Sequence, residues 1–116
     1  MSRILVIEDS PAIALLLRRR LEMAGHAVDL MPNGILGLGR LDAAMLPDLV
    51  LADVMMPGLD GLATLRQIRI RHPDVPVVLV TGQQLTPEQR EEADAVFAKP
   101  IEFDALLAAI DRLTSE

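Results

Sequence analysis

The chain has 116 residues, of which 17 are acidic and 11 basic, for a formal net charge of −6. That length fits one domain with one core, and an acidic balance argues against nucleic acid as a direct partner because no basic excess exists to neutralise phosphates. With no cysteine, disulfides, thiol catalysis and thiolate metal sites are excluded, and with 2% aromatic residues the core must be aliphatic. No apolar stretch reaches the ~18 residues of a membrane span and the N-terminus lacks a signal-peptide pattern. A soluble, cytoplasmic protein with no membrane partner is expected.

Arg3-Ile4-Leu5-Val6-Ile7 reads as an apolar strand that ends on Glu8-Asp9. Ser10-Pro11 then has the form of a helix start, Ser at the N-cap and Pro at the first helical position. Ile13, Leu17, Leu21 and Ala24 recur at helical spacing as its buried stripe, Arg18, Arg19 and Glu22 face away, and Gly25 stops it. Leu15 projects outward with Leu16 at the margin, a hint of a contact surface beside the acids. Ala27-Val28-Asp29-Leu30 is a short, alternating and less buried strand. Asn33-Gly34 opens a helix predicted to run through about Ala44. Gly34, Gly37 and Gly39 weaken it, each by up to ~1 kcal/mol against alanine. The GILGLG string is not a phosphate loop: it lacks the Gly-Lys-Ser/Thr ending, and its glycines are misplaced for a dinucleotide fingerprint.

Leu49-Val50-Leu51-Ala52, bounded by Pro47 and by Pro57-Gly58, reads as a buried parallel strand that ends on one carboxylate, Asp53. Asp60-Gly61 leads a helix with Leu62, Leu65 and Ile68 inward and Arg66, Arg69 and Arg71 outward, ended by His72-Pro73. Neither His72 nor His26 has a ligand-spaced neighbour, and both are expected at the surface. Residues 75–80 form a fourth apolar strand ending on Thr81-Gly82, and Thr86-Pro87 caps a short helix reaching about Ala93. Ala95-Val96-Phe97-Ala98 is a fifth strand ending on Lys99-Pro100, and Phe103, Leu106, Leu107, Ile110 and Leu113 are the apolar stripe of a last helix. Strands alternating with helices predict an α/β fold, a parallel sheet with right-handed crossover helices on both faces, in a single domain over residues 1–116.

Four of the five predicted strands end on a reactive type of polar residue: Glu8-Asp9, Asp53, Thr81 and Lys99. In a parallel sheet these ends share one edge, the place where open α/β sheets bind ligands. Three carboxylates within ~4–5 Å of one another would repel by about 3–4 kcal/mol per pair at an effective dielectric near 20. A hard divalent cation relieves that repulsion, and Mg²⁺ takes one or two carboxylates with water and phosphate oxygens. Lys99 and Thr81 add an ammonium and a hydroxyl for an anion. A carboxylate beside a metal, an ammonium and a hydroxyl is equipped to accept a phosphoryl group. Capping, a strand end or a surface lysine would explain each residue alone, but not the set.

The strings Val6-Ile7-Glu8-Asp9, PDLVLAD (47–53), Met56-Pro57-Gly58-Leu59-Asp60-Gly61, Val80-Thr81-Gly82 and Lys99-Pro100 occur together and in this order. On them the chain resembles the receiver domain of bacterial two-component response regulators over essentially its whole length. The resemblance implies a flavodoxin-like (βα)5 fold with sheet order 2-1-3-4-5. It implies that Asp53 accepts a phosphoryl group from a phosphohistidine of a sensor histidine kinase or phosphotransfer protein. Asp9 and Asp53 would ligate Mg²⁺ with the backbone carbonyl of Met55, and Glu8 would reach the ion through water. Lys99 would contact the phosphoryl group, with a cis Lys99–Pro100 peptide. Thr81 would move to bond the phosphorylated Asp53 and so switch the face of the fourth helix, fifth strand and last helix. A downstream effector protein or attached output domain would read that face. Catalysis would be limited to weak self-catalysed phosphotransfer and dephosphorylation.

Two departures from the family pattern fall on that face. The aromatic residue usual three places before the lysine is Val96, and Phe97 lies on the other side of the strand. Only seventeen residues separate Thr81 from Lys99, which shortens the fourth helix. A degenerate receiver acting as a static binding module is the rival reading, opposed by the complete set Glu8, Asp9, Asp53, Thr81 and Lys99. An aspartyl phosphatase wants a second acid where Met55 stands, and a flavin carrier wants a phosphate loop where Glu8-Asp9-Ser10-Pro11 stands.

Overall fold

The computed structural model describes residues 1–43 and 45–115. Strands and helices alternate as β1 (Arg3–Ile7), α1 (Pro11–Met23), β2 (Ala27–Met31), α2 (Gly34–Ala43), β3 (Leu49–Asp53), α3 (Gly61–Arg71), β4 (Val77–Thr81), α4 (Pro87–Glu92), β5 (Ala95–Ala98) and α5 (Phe103–Thr114). The predicted end of the second helix at Ala44 lies outside the described residues. All strand pairs are parallel, in the order β2-β1-β3-β4-β5. This is the expected flavodoxin-like topology.

The apolar runs explain which strands sit inside. β3 and β4 are buried at every residue, and β1 at all but Arg3. The edge strands β2 and β5 are mostly half-buried. Because strand side chains alternate between faces, each central strand feeds two cores. Leu5, Ile7, Val50, Ala52, Val77 and Leu79 pack with Leu41, Leu65 and Ile68 from α2 and α3. Ile4, Val6, Leu49, Leu51, Val78 and Val80 pack with Leu17 and Leu21 of α1 and Leu106 and Ile110 of α5. The same alternation puts Val96 against the first core and Phe97 against the second, as the sequence required.

The helix termini follow their caps. Ser10, Asp60 and Thr86 each accept a backbone N–H three residues on, from Ile13 (3.4 Å), Ala63 (2.8 Å) and Gln89 (3.1 Å). Gln89 returns the bond to the Thr86 N–H and completes a capping box, which stabilises a helix of only six residues. Two glycines that looked merely weakening are packing devices. A Cβ on Gly34 would fall on the Thr64 hydroxyl and the Leu59 carbonyl, and one on Gly37 would fall on the Ile7 side chain. They let α2 lie tightly against α3 and β1.

One expectation about the surface needs correcting. His26 is buried, not exposed: its Nδ1 accepts the Ser2 backbone N–H at 3.1 Å, a partner 24 residues away. His72 is half-buried, with Nε2 2.9 Å from Asp42, which also binds Arg71 at 2.6 Å. The His72 contact, helped by the Arg71 charge, holds the Asp42 carboxyl below its ordinary range. The arginines of α3 face outward as expected, and they find acidic partners there. Arg66 binds Glu92 at 2.8 and 3.1 Å, and Arg69 binds the Glu92 carbonyl at 3.2 Å and Asp94 at 2.7 Å. Asp94 in turn accepts the Val77 N–H at 2.7 Å. These contacts tie the short α4, which buries no residue of its own, to α3 and the start of β4.

Candidate functional site

The register brings the strand ends together. Ile7 lies beside Ala52, Asp53 beside Val80, and Thr81 beside Ala98. One step further along the chain, Glu8, Asp9 and Lys99 reach the same edge, Lys99 through a cis peptide to Pro100. Carboxylate oxygens of Glu8, Asp9 and Asp53 lie within 4.8 Å of one another. Lys99 Nζ is 2.8 Å from Asp53 Oδ2 and 3.6 Å from Glu8 Oε1. The other Asp53 oxygen, Oδ1, accepts the Met55 N–H at 3.1 Å. Glu8 Oε2 accepts the Ser10 N–H at 3.1 Å, so the N-terminal turn of α1 positions it.

Of the residues singled out from sequence, the structure thus gathers Glu8, Asp9, Asp53 and Lys99. Thr81 is buried at the end of the neighbouring strand, and its hydroxyl accepts the Gln83 N–H at 2.9 Å rather than meeting Asp53. Met55 is exposed, with its sulfur against the Gln83 side-chain amide. Sequence reading missed Ser10 as the group that orients Glu8, and Gly61. Gly61 seats α3 on the back of the Asp53 turn, where a Cβ would meet the Asp53 carbonyl oxygen.

Three carboxylates face one ammonium, and the imbalance shows at Glu8. Burial pushes the Glu8 carboxyl up to about 7, and the neighbouring Asp9 and Asp53 add to the rise against the opposing Ser10 N–H and Lys99. Burial alone would lower the Lys99 ammonium, but the hydrogen bond and charge of Asp53, with Glu8, raise it above the ordinary lysine range. The Glu8 shift has a definite sign in stability. Between its ordinary 4.5 and about 7 the folded state holds a proton that the unfolded chain has released. Lowering the pH through that window therefore favours folding, and raising it toward 7 and beyond removes that stability, by on the order of 2–3 kcal/mol. Metal-free protein should be more stable in urea at pH 5.5 than at pH 7.5, and Glu8→Gln should flatten the difference. Equal slopes in the two proteins would show that Glu8 titrates normally.

The cluster suits a hard divalent cation, which takes oxygen ligands and would offset the surplus negative charge. Its lysine and buried aspartate at the carboxyl end of a central strand form one anion-handling site at the sheet edge.

Residues 4–111 match the sequence model of the response regulator receiver domain family. The chain belongs to that family. Among relatives of this receiver domain, the response regulator MprA of Mycobacterium sp. (strain KMS) is 38% identical over 115 residues, covering 96% of this chain and 50% of MprA. The chain therefore spans about half the length of that relative. Among solved structures, the response regulator TrrA of Thermotoga maritima, in complex with Mg²⁺-BeF, superimposes with a TM-score of 0.90 at 32% identity, covering 97% of this chain and 99% of TrrA. TrrA in complex with the histidine kinase ThkA gives the same TM-score and identity, over 99% and 100% of the two chains. No helix of the described residues is long and apolar enough to cross a membrane.

Proposed function

We propose that this receiver domain accepts a phosphoryl group on Asp53 from a phosphohistidine of a sensor histidine kinase or phosphotransfer protein. The observation that carries the reading is Asp53 itself: buried, clustered with Glu8 and Asp9, and held at Oδ2 by Lys99 at 2.8 Å. Asp9, Asp53 and the backbone carbonyl of Met55 would hold Mg²⁺, with Glu8 reaching it through water. Bound there, Mg²⁺ supplies positive charge against the incoming phosphoryl oxygens. An Asp53 carboxylate oxygen forms the new bond to phosphorus as the bond to the donor imidazole breaks. Lys99, already on Asp53, holds a phosphoryl oxygen and stabilises the charge that develops on it. Met55 N–H and Lys99 keep the carboxylate oriented before the donor arrives.

Thr81 supplies the switch. Its hydroxyl leaves the Gln83 backbone and turns to the phosphoryl oxygen, which changes the loop leading to α4. Val96 offers no aromatic ring to follow that movement, and α4 is tied to α3 by Arg66 and Arg69. The signal therefore passes through an altered α4–β5–α5 surface to a downstream effector protein or attached output domain. We assign the protein to the cytoplasm, where such kinases present their phosphohistidine. The chemistry of this domain is weak self-catalysed phosphotransfer and dephosphorylation.

Beryllofluoride, a phosphoryl stand-in, tests this without a kinase. With Mg²⁺, wild-type protein should show a bound ¹⁹F signal and shifted Thr81 and Gln83 amides, and Asp53→Asn should show neither. A folded wild type with no bound signal would favour the static binding module.

A further inference from the structure

The loop that follows Thr81 is pinned at both ends and loose between them. Thr81 is buried at the end of β4, and Leu85 is buried in the core that α3 covers. Thr86 is fixed by the capping box of α4, and Arg66 and Arg69 tie that helix to α3. Between these points Gly82, Gln83 and Gln84 are exposed, and a Cβ on Gly82 would meet nothing within 4 Å. Movement that starts at Thr81 is therefore concentrated in three residues.

Gln83 is the middle one, and it is held from two sides. Its backbone N–H donates to the Thr81 hydroxyl at 2.9 Å, and that hydroxyl reaches back to the Gln83 carbonyl at 3.3 Å. Its side-chain amide donates to the Met55 sulfur, across to the loop that follows β3. Met55 in turn donates its N–H to Asp53 Oδ1 at 3.1 Å. Asp53, Met55, Gln83 and Thr81 thus form one run of contacts that leaves the phosphoacceptor strand and returns to the neighbouring strand. The same two loops wall an open cleft, with Met55, Met56 and Pro57 on one side and Gln83 and Gln89 on the other.

We propose that the Gln83 side chain is a latch of the unphosphorylated state, and that it does the coupling for which Val96 supplies no aromatic ring. This rests on Asp53 being the phosphoacceptor and on the Thr81 movement described above; the new element is where that movement goes. When the Thr81 hydroxyl turns to the phosphoryl oxygen, the Gln83 backbone loses both of its bonds to that hydroxyl. The amide on Met55 cannot hold the loop alone, because a thioether is a weak acceptor and the contact is open to water. The Gln83–Met55 contact then parts, and the cleft between the two loops opens. No side chain of β5 takes part, since each of these contacts lies at the end of β3 or β4 or on the loops that follow. Val96 stays packed against the core. Because the latch is made in one state only, it opposes the switch. Removing it therefore favours the phosphorylated form and tightens binding of a phosphoryl stand-in.

Beryllofluoride affinity in the presence of Mg²⁺, followed by ¹⁹F NMR, reads this. Gln83→Ala and Met55→Leu should each tighten binding about threefold, the scale of a weak, exposed hydrogen bond. The double variant should also gain about threefold rather than about ninefold, because both substitutions remove the same contact. Both side chains are exposed, so neither change disturbs the core. In wild-type protein the NOE between the Met55 methyl group and the Gln83 side-chain amide should vanish when beryllofluoride binds. Unchanged or weakened binding in the single variants, additive gains in the double variant, or an NOE that survives saturation would each overturn the latch and leave Asp53 as the phosphoacceptor. Wild-type protein that binds no beryllofluoride would overturn the phosphoacceptor reading and the latch with it.

Discussion

Gly61→Ala should destabilise the protein by about 2–4 kcal/mol, although it adds one methyl group. The new Cβ would meet the Asp53 carbonyl oxygen, with Val54 Cα at 2.7 Å and Asp53 C at 2.9 Å. All three are backbone atoms where β3 ends and the next turn begins, and none can swing aside as a side chain would. Gly61 also donates its N–H to the Val54 carbonyl at 3.0 Å and follows the Asp60 cap at the start of α3. To admit the methyl group, either α3 must lift from the core or the Asp53 backbone must move. Phosphoryl acceptance should therefore fall along with the urea midpoint. A loss below about 1 kcal/mol would mean that the turn yields more easily than its contacts indicate.

Lys99→Met should have two separable effects. The methionine keeps an apolar stem of similar length but leaves Asp53 and Glu8 without their ammonium. Without metal, stability at pH 7.5 should fall by about 1–3 kcal/mol, discounted from a fully buried pair because Lys99 retains some solvent contact. The rate of phosphoryl gain from a small phosphodonor should fall by about 100-fold or more, since the charge on the developing oxyanion loses its partner. Lys99→Arg should restore stability better than rate, because a planar guanidinium cannot occupy the position of a compact ammonium. If Lys99→Met loses stability but phosphorylates at the wild-type rate, the lysine serves the folded state alone.

The fold was legible because its signals are local. Apolar runs bounded by proline and glycine marked β1, β3 and β4, and Ser10, Asp60 and Thr86 marked three helix starts. The period of two in a strand placed Val96 and Phe97 on opposite faces. The acid site was legible for a different reason: parallel strands share one C-terminal edge, so four polar strand ends had to be neighbours. What stayed hidden depends on distant partners. His26 is buried through a bond to Ser2, and Arg66 and Arg69 find Glu92 and Asp94 some 23–26 residues away. Gly34 and Gly37 looked like weak points in a helix, because only the packed structure shows what lies against them. The Thr81 hydroxyl, engaged with Gln83, is a contact that composition and spacing do not encode.

Intact-protein mass tests most directly whether Asp53 is a metal-dependent phosphoacceptor. The protein is incubated with acetyl phosphate, with and without Mg²⁺, and weighed. The expected result is a gain of one phosphoryl group that requires Mg²⁺ and vanishes in Asp53→Asn. A gain that persists in Asp53→Asn, or no gain from folded wild-type protein shown to bind Mg²⁺, would contradict it.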